Sequence, residues 1–447
     1  MLKRNQMFQK VFLTAVTLLL LQMGGKAQEQ ADTAAARRWV NAHRKSIAGI
    51  TGDYQAGSMA FLQKAAGTQR VIGLGEGTHG SSEFQQARVN IIRYLVTEKG
   101  FNIICFENSY GWSKALNDYI LHGRGEPDSL MRHCLLGIWQ TREVKSLLQW
   151  MRQYNQQHSR KVLFAGMDFS ETSQTAAQIR ELTAPLQDTL LQRLSIALLQ
   201  YSQYQDEVYR SFNMPGEINR QQWLDNGLAA YETVTAIRNI LDSKADNYRQ
   251  QLGTAAWQAL QASTLNSALA FYGIYRPVKQ QQEASRDSGM AVMVTRLAQQ
   301  DPGNKIIVWA HNAHIARKSL IDDSNGGGMG AFLQRHFGKD YACIGTGTAG
   351  GTVGVIREQF VNPSCQLYST VLPQAAPGSW EALLAGVPAE QFYLPLHTGT
   401  GPVLQFPQRL AGYNEEKAPG YYVTADPREL YDGFLFFRQT SATRSLP

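Results

Sequence analysis

The chain has no G-x-S-x-G elbow, no cysteines at metal-ligand spacing and no run of lysine and arginine interleaved with aromatics. Beyond its first thirty residues it also has no apolar stretch long enough to cross a bilayer. Each absence removes a class. Without the elbow, an acyl-serine hydrolase is not indicated. Without a basic stripe there is no footprint for nucleic acid. The cysteines are few: Cys105, Cys134, Cys343 and Cys365. They match neither a zinc site nor C-x-x-C, and Cys105, inside the apolar IICF, reads as a buried thiol. A disulfide is open to an exported chain, but spacing does not choose the pair.

The N-terminus points to export. Lys3, Arg4 and Lys10 precede the apolar run VFLTAVTLLLLQM, and Gly25 and Ala27 suit cleavage before Gln28. A positive start, a short apolar segment and a small-residue exit read as a signal peptide over residues 1–27. The run is short for a permanent anchor. The mature protein is therefore expected to be periplasmic or secreted, with no stable membrane anchor. Lys3, Arg4, Lys10 and Lys26 account for four of the seven net positive charges, leaving +3 on the mature chain. The basicity belongs mostly to the signal.

Unbroken apolar runs then recur between helical patterns: VIGL at 71–74, NIICF at 102–106, KVLFAG at 161–166 and KIIVWA at 305–310. Runs without polar alternation, joined by helices, predict an α/β fold with a mostly parallel sheet buried on both faces. YACIG, GTVGVI, QFYLPL and GFLFF are expected to complete the sheet. From about Thr183 to Glu283 strand signals stop, and Leu186, Leu190, Leu194 and Leu198 recur at helical spacing. This stretch predicts an inserted all-helical layer, with a break at NMPGE (213–217). Its aromatics (Tyr201, Tyr204, Tyr209, Phe212, Trp223, Tyr231) either wall a cleft or pack helix on helix. The chain divides accordingly into core residues 28–182, a helical layer or lid at 183–283, and a second core part at 284–447. The glycine-rich SNGGGMG (324–330) lacks the Lys-Ser or Lys-Thr of a phosphate loop and reads as a flexible loop beside the cleft.

The residues that follow the strands carry the chemistry. VIGLG leads to Glu76 and His79, NIICF to Glu107, KVLFAGM to Asp168, and KIIVWA to His311 and His314. In an open parallel sheet these positions lie at the carboxyl ends of strands, where ligands bind. One polar residue there is ordinary punctuation; four strands ending in Glu, Glu, Asp and two His suggest a site. A helix is predicted from Ser81 or Ser82 to Lys99, with Gly100 ending it. Its stripe Phe84, Arg88, Ile91 and Leu95 turns an arginine inward, with Glu76 and Glu107 as expected partners because an unpaired buried charge is costly. Such a set can activate water. A histidine serves as base, a carboxylate fixes its tautomer, and a second histidine or the arginine stabilises an oxyanion. The open alternative is a metal site of His79, His311 and a glutamate.

GEGTHGSSEF with Arg88, FEN at Glu107, GIWQTREV at 137–144, FAGMD at Asp168 and VWAHNAHIA together resemble the erythromycin esterase family. RDSGM at 286–290 and YDGFLFF near the C-terminus extend the resemblance over most of the mature chain. It implies hydrolysis of a carboxylic ester or macrocyclic lactone by activated water, without an acyl-enzyme. It places the base on His79 and supporting roles on Glu76, Arg88, Glu107 and His311. His314, Trp139, Arg142 and Asp168 become candidates for substrate contact. The partner is then a small ester or lactone. No cofactor is expected, with a divalent metal left open. The contrasting class is an exported, non-catalytic binder of haem or a macrocycle.

Overall fold

The computed structural model describes residues 32–446 apart from 64–66, 212–218, 321–326, 358–364, 398–400 and 417–418, and it leaves out the side chains of 209–211. The segment expected to be a signal peptide, the NMPGE break, the Tyr209 side chain, Phe212 and the first part of SNGGGMG lie outside the described residues. In chain order the strands are β1 (Lys45–Ser46), β2 (Val71–Glu76), β3 (Ile103–Ser109), β4 (Leu163–Asp168), β5 (Ile306–His311) and β6 (Tyr341–Thr348). They continue with β7 (Gly351–Val355), β8 (Tyr368–Leu372), β9 (Gln391–Pro395), β10 (Phe406–Leu410), β11 (Tyr421–Ala425) and β12 (Gly433–Phe437). Eight of them form one sheet, ordered β1-β9-β12-β6-β2-β5-β3-β4. From β12 to β4 the strands run parallel, and β9 and β1 finish one edge antiparallel. The fold is α/β, as unbroken apolar runs require.

Successive side chains of a strand point to opposite faces, and here both faces are dry. Ile72, Leu74, Ile104, Phe106, Ile307 and Trp309 enter one apolar cluster. Val71, Ile103, Cys105, Ile306, Val308 and Ala310 enter the other. The Ser82–Lys99 helix covers the first face. It begins after Ser81 and ends at Gly100, whose φ of +69° suits glycine. Its stripe of Phe84, Arg88, Ile91 and Leu95 is buried as predicted. A third cluster lies within the helical layer, formed by the helices Ser173–Thr183, Thr189–Ser211, Arg220–Ser243 and Ala245–Gln280. Tyr201 and Tyr231 pack against that cluster.

Three expectations need correction. GTVGVI does not join the main sheet: β7 pairs antiparallel with β8 in a separate ribbon. It turns away at Gly351 (φ +125°) to lie against the loop after β2. Leu190 does not share a buried stripe with Leu186 and Leu198. The chain breaks at Gln187 (φ +48°) and the helix restarts at Thr189, so Leu191 is buried and Leu190 is 57% exposed. Thirdly, Glu76 and Glu107, expected to share Arg88, end strands that are not neighbours, because β5 lies between β2 and β3.

That interposed strand matters for the site. Order β2-β5-β3-β4 sets the carboxyl ends of Glu76, His311, Glu107 and Asp168 side by side, and Glu76 pairs in register with His311. It is also where the chain changes direction across the sheet, the usual location of a ligand crevice. The loop after β2 is clamped there from outside. The Gly80 carbonyl accepts from the backbone N–H groups of Gly354 (2.8 Å) and Thr443 (2.9 Å), and the Gly77 carbonyl accepts from Ala411 (3.1 Å). A Cβ on Gly80 would stand 1.9 Å from the Gly354 carbonyl oxygen, so this close approach requires glycine. Gly80→Ala is expected to lower stability by about 1–3 kcal/mol through overpacking, read as a lower midpoint in urea unfolding. An unchanged midpoint would show that the clamp does not hold the loop.

Candidate active site

Glu76 ends β2 with no solvent exposure. Its Oε1 accepts from His79 Nδ1 at 2.8 Å, and its Oε2 accepts from Trp309 Nε1 at 3.1 Å. Arg88 reaches the same Oε2 at 3.7 Å and donates to Thr346 Oγ1 at 3.1 Å. The Arg88 guanidinium also stands 5.6 Å from the Trp309 ring centroid, a cation–π contact. Burial lowers the Arg88 pKa to about 10, against the opposing pull of Glu76, so the group stays charged at neutral pH. With Nδ1 bonded to a carboxylate, His79 carries its proton there and leaves Nε2 as an acceptor. Gln85 steadies the loop: its Nε2 donates to the His79 carbonyl at 3.1 Å, and its Oε1 accepts from Thr141 at 2.6 Å.

His311 is arranged the opposite way. It caps the short Asn312–Ile315 helix, and its Nδ1 accepts from the Ala313 N–H at 3.3 Å. The ring proton therefore sits on the buried Nε2, and the ring also has the Gly77 backbone as a hydrogen-bond partner. Burial, and after it the nearby His79 and His314, push the His311 pKa down to about 3. The ring is a neutral donor at neutral pH. Its centroid lies 5.1 Å from that of His79.

A second charged network lies on the far side of His311. Glu107 Oε2 accepts from the His311 backbone N–H at 3.2 Å, while its Oε1 meets His314 Nε2 at 3.2 Å and Arg286 Nη2 at 3.1 Å. Burial alone would raise the Glu107 carboxyl, but His314, Arg286 and His79 hold it well below the carboxylate range. His314 also meets Asp287 through Nδ1 at 2.7 Å. Burial opposes its charge, yet Glu107 and Asp287 raise its pKa to about 10. Arg286 grips Asp168 with Nε at 3.2 Å and Nη2 at 2.6 Å. Its side chain is 42% exposed.

Glu76, His79, Arg88, Glu107, His311, His314 and Asp168 thus gather at four adjoining strand ends. Arg88 pairs with Glu76 and not with Glu107, because β5 separates the two acids. Asp168 was expected to meet substrate, but Arg286, the Phe169 N–H and the Ser170 hydroxyl occupy its oxygens. Trp139 is fully buried and sets its ring edge-on to His79 at 5.9 Å, so it buttresses the histidine rather than facing a ligand. Arg142 lies outside the cluster, exposed and bonded to the Ser445 carbonyl. Arg286 and Asp287 were absent from the expected site, although RDSGM was the stretch that signalled them. Among the described residues no three His, Cys, Asp or Glu side chains stand as a metal-holding group. The four cysteines are buried, and none is in a disulfide among the described residues.

A parallel α/β sheet with acid–base side chains converging at its switch point is an enzyme-like arrangement. The chain belongs to the erythromycin esterase family, a hydrolase-type family, whose model matches residues 96–440. That stretch includes Glu107, Asp168, Arg286, His311 and His314 and begins after Glu76, His79 and Arg88. The chain is similar to erythromycin esterase type II of Escherichia coli, 23% identical over 337 residues, 73% of this chain and 80% of that protein. Among solved structures it resembles a Bacillus cereus protein (TM-score 0.78, 21% identity, 93% of this chain and 99% of that one). It also resembles an erythromycin esterase mutant in its open conformation (TM-score 0.68, 19% identity, 90% and 98%). At these identities the solved structures establish the fold.

The two shifted histidines set opposing pH dependences. His314, raised to about 10, contributes stability that is complete below the ordinary imidazole pKa and is lost as pH climbs toward 10. His311, lowered to about 3, costs stability as pH falls below that ordinary value, because the unfolded ring takes a proton that the folded ring refuses. Glu107, lowered, adds stability above the ordinary carboxyl range that is lost in acid. These three groups together favour a stability maximum near neutrality. His314→Gln is expected to flatten the alkaline limb, measured as unfolding free energy at about pH 6.5 and about pH 9. An equal alkaline loss in variant and wild type would count against the network.

Proposed function

We propose that the chain is an exported hydrolase that opens a carboxylic ester or macrocyclic lactone by water activated on His79, with no acyl-enzyme. The observation that carries this is the pair of imidazoles 5.1 Å apart whose hydrogen bonds impose opposite tautomers. His79 Nε2 takes a proton from water as the hydroxyl oxygen bonds to the ester carbonyl carbon. The resulting imidazolium is stabilised by Glu76, which is held by Arg88 and Trp309. His311 Nε2–H donates to the oxyanion of the tetrahedral intermediate, and because the ring is neutral it does so without giving up its proton. As the C–O bond breaks, His79 returns its proton to the departing alkoxide, and acid and alcohol leave. Family membership and the name of the E. coli relative support an ester substrate and make a macrolide lactone the natural first probe. Export rests on the N-terminal sequence pattern.

The test is mass spectrometry of a panel of macrolides and simpler lactones incubated with the mature protein, with and without chelator. A product heavier by one water is expected, with turnover unaffected by the chelator. His79→Ala, folded by circular dichroism, should lose about 10²–10⁴-fold or more in rate. His311→Ala should lose about 10²–10³-fold. Full activity of His79→Ala would overturn the assignment of the base. Tight binding without product would favour a binding protein, and loss of turnover with chelator would favour the metal route.

A further inference from the structure

Away from the His79 cluster, the helical layer meets the Arg286–Gln299 helix around a cavity of about 130 Å³. Arg238 and Asp242 come from the Arg220–Ser243 helix, Gln261 and Thr264 from the Ala245–Gln280 helix, and Arg296 from the Arg286–Gln299 helix. Two leucines complete the lining. Two guanidinium groups therefore share one small volume. Among the described residues Arg296 makes a single hydrogen bond, to Gln261 Oε1 at 2.5 Å, and burial and then the Arg238 charge lower its pKa. Arg238 makes no hydrogen bond or ion pair among the described residues. Asp242 is exposed at the rim and offsets one of the two charges.

Like charges converging on a cavity oppose each other unless an anion stands between them. Guanidinium forks match the oxygens of a tetrahedral oxyanion. The Gln261 amide, whose oxygen is engaged by Arg296, keeps its N–H groups for the same purpose. The space is small enough to favour a compact oxyanion.

We propose that this cavity binds a compact tetrahedral oxyanion, with inorganic phosphate as its simplest form, between Arg238 and Arg296. Bound there, the anion ties the helical layer to the core helix that begins with Arg286 and Asp287. The site is independent of the hydrolase assignment, and its test involves no substrate. Thermal unfolding and titration calorimetry of the mature chain would compare phosphate with chloride at equal ionic strength. Wild type should show a phosphate-specific rise in Tm that grows with concentration. In Arg238→Gln and Arg296→Gln the binding should weaken about tenfold or more and the rise should disappear. Arg238→Gln breaks no internal bond and removes the repulsion, so its Tm without phosphate should match or exceed that of wild type. The absence of a phosphate-specific rise in wild type, or an equal rise in both variants, would overturn the proposal.

Discussion

Glu76 is fully buried at the end of a central strand, and a carboxylate in that position is tolerated only if its charge is answered from inside the protein. The answer recruits three parts of the chain. Arg88 comes from the helix that follows, Trp309 from the neighbouring strand, and His79 from the loop between them. Removing any one would leave a buried charge poorly matched, so the loop, helix and strand are fixed relative to one another. Buried charge networks of this kind contribute little net stability compared with apolar packing. What this one provides is position: it orients an imidazole at a strand end.

The same logic separates the two halves of the site. On one side of β5, Glu76 holds His79 through Nδ1. On the other, Glu107 and Asp287 hold His314 as an imidazolium up to about pH 10. His311 stands between them. Its backbone N–H is tied to Glu107 and its Nδ1 to its own helix start. Burial first, with the His314 imidazolium beside it, keeps the ring neutral and its proton on Nε2.

Much of this was legible before any coordinates. Unbroken apolar runs exposed the parallel sheet because burial on both faces removes the need for polar alternation. The residues after those runs exposed most of the site, and the inward stripe exposed Arg88. What sequence could not supply was strand order. VIGL and NIICF are consecutive in the chain, so Glu76 and Glu107 looked like neighbours, whereas β5 arrives from two hundred residues later and takes Arg88's second partner away. Long-range pairing of this kind leaves no local periodicity. Arg286 was missed for a related reason: it starts a helix rather than ending a strand, outside the pattern that marked the others. Arg142 misled because a position inside a recognisable motif does not fix which way a side chain points. Leu190 misled because a residue with positive φ at Gln187 resets helical phase invisibly.

The claim on which the account rests is that His79 and His311 are held in opposite neutral tautomers. Nitrogen-15 NMR of protein labelled in its histidine rings, assigned with single His→Gln variants, measures this directly. The account predicts a protonated Nε2 and a bare Nδ1 for His311, unchanged through the neutral range. For His79 in its neutral form it predicts a protonated Nδ1 and a bare Nε2. A His311 ring that gains a proton near neutrality, or that carries its proton on Nδ1, would contradict it.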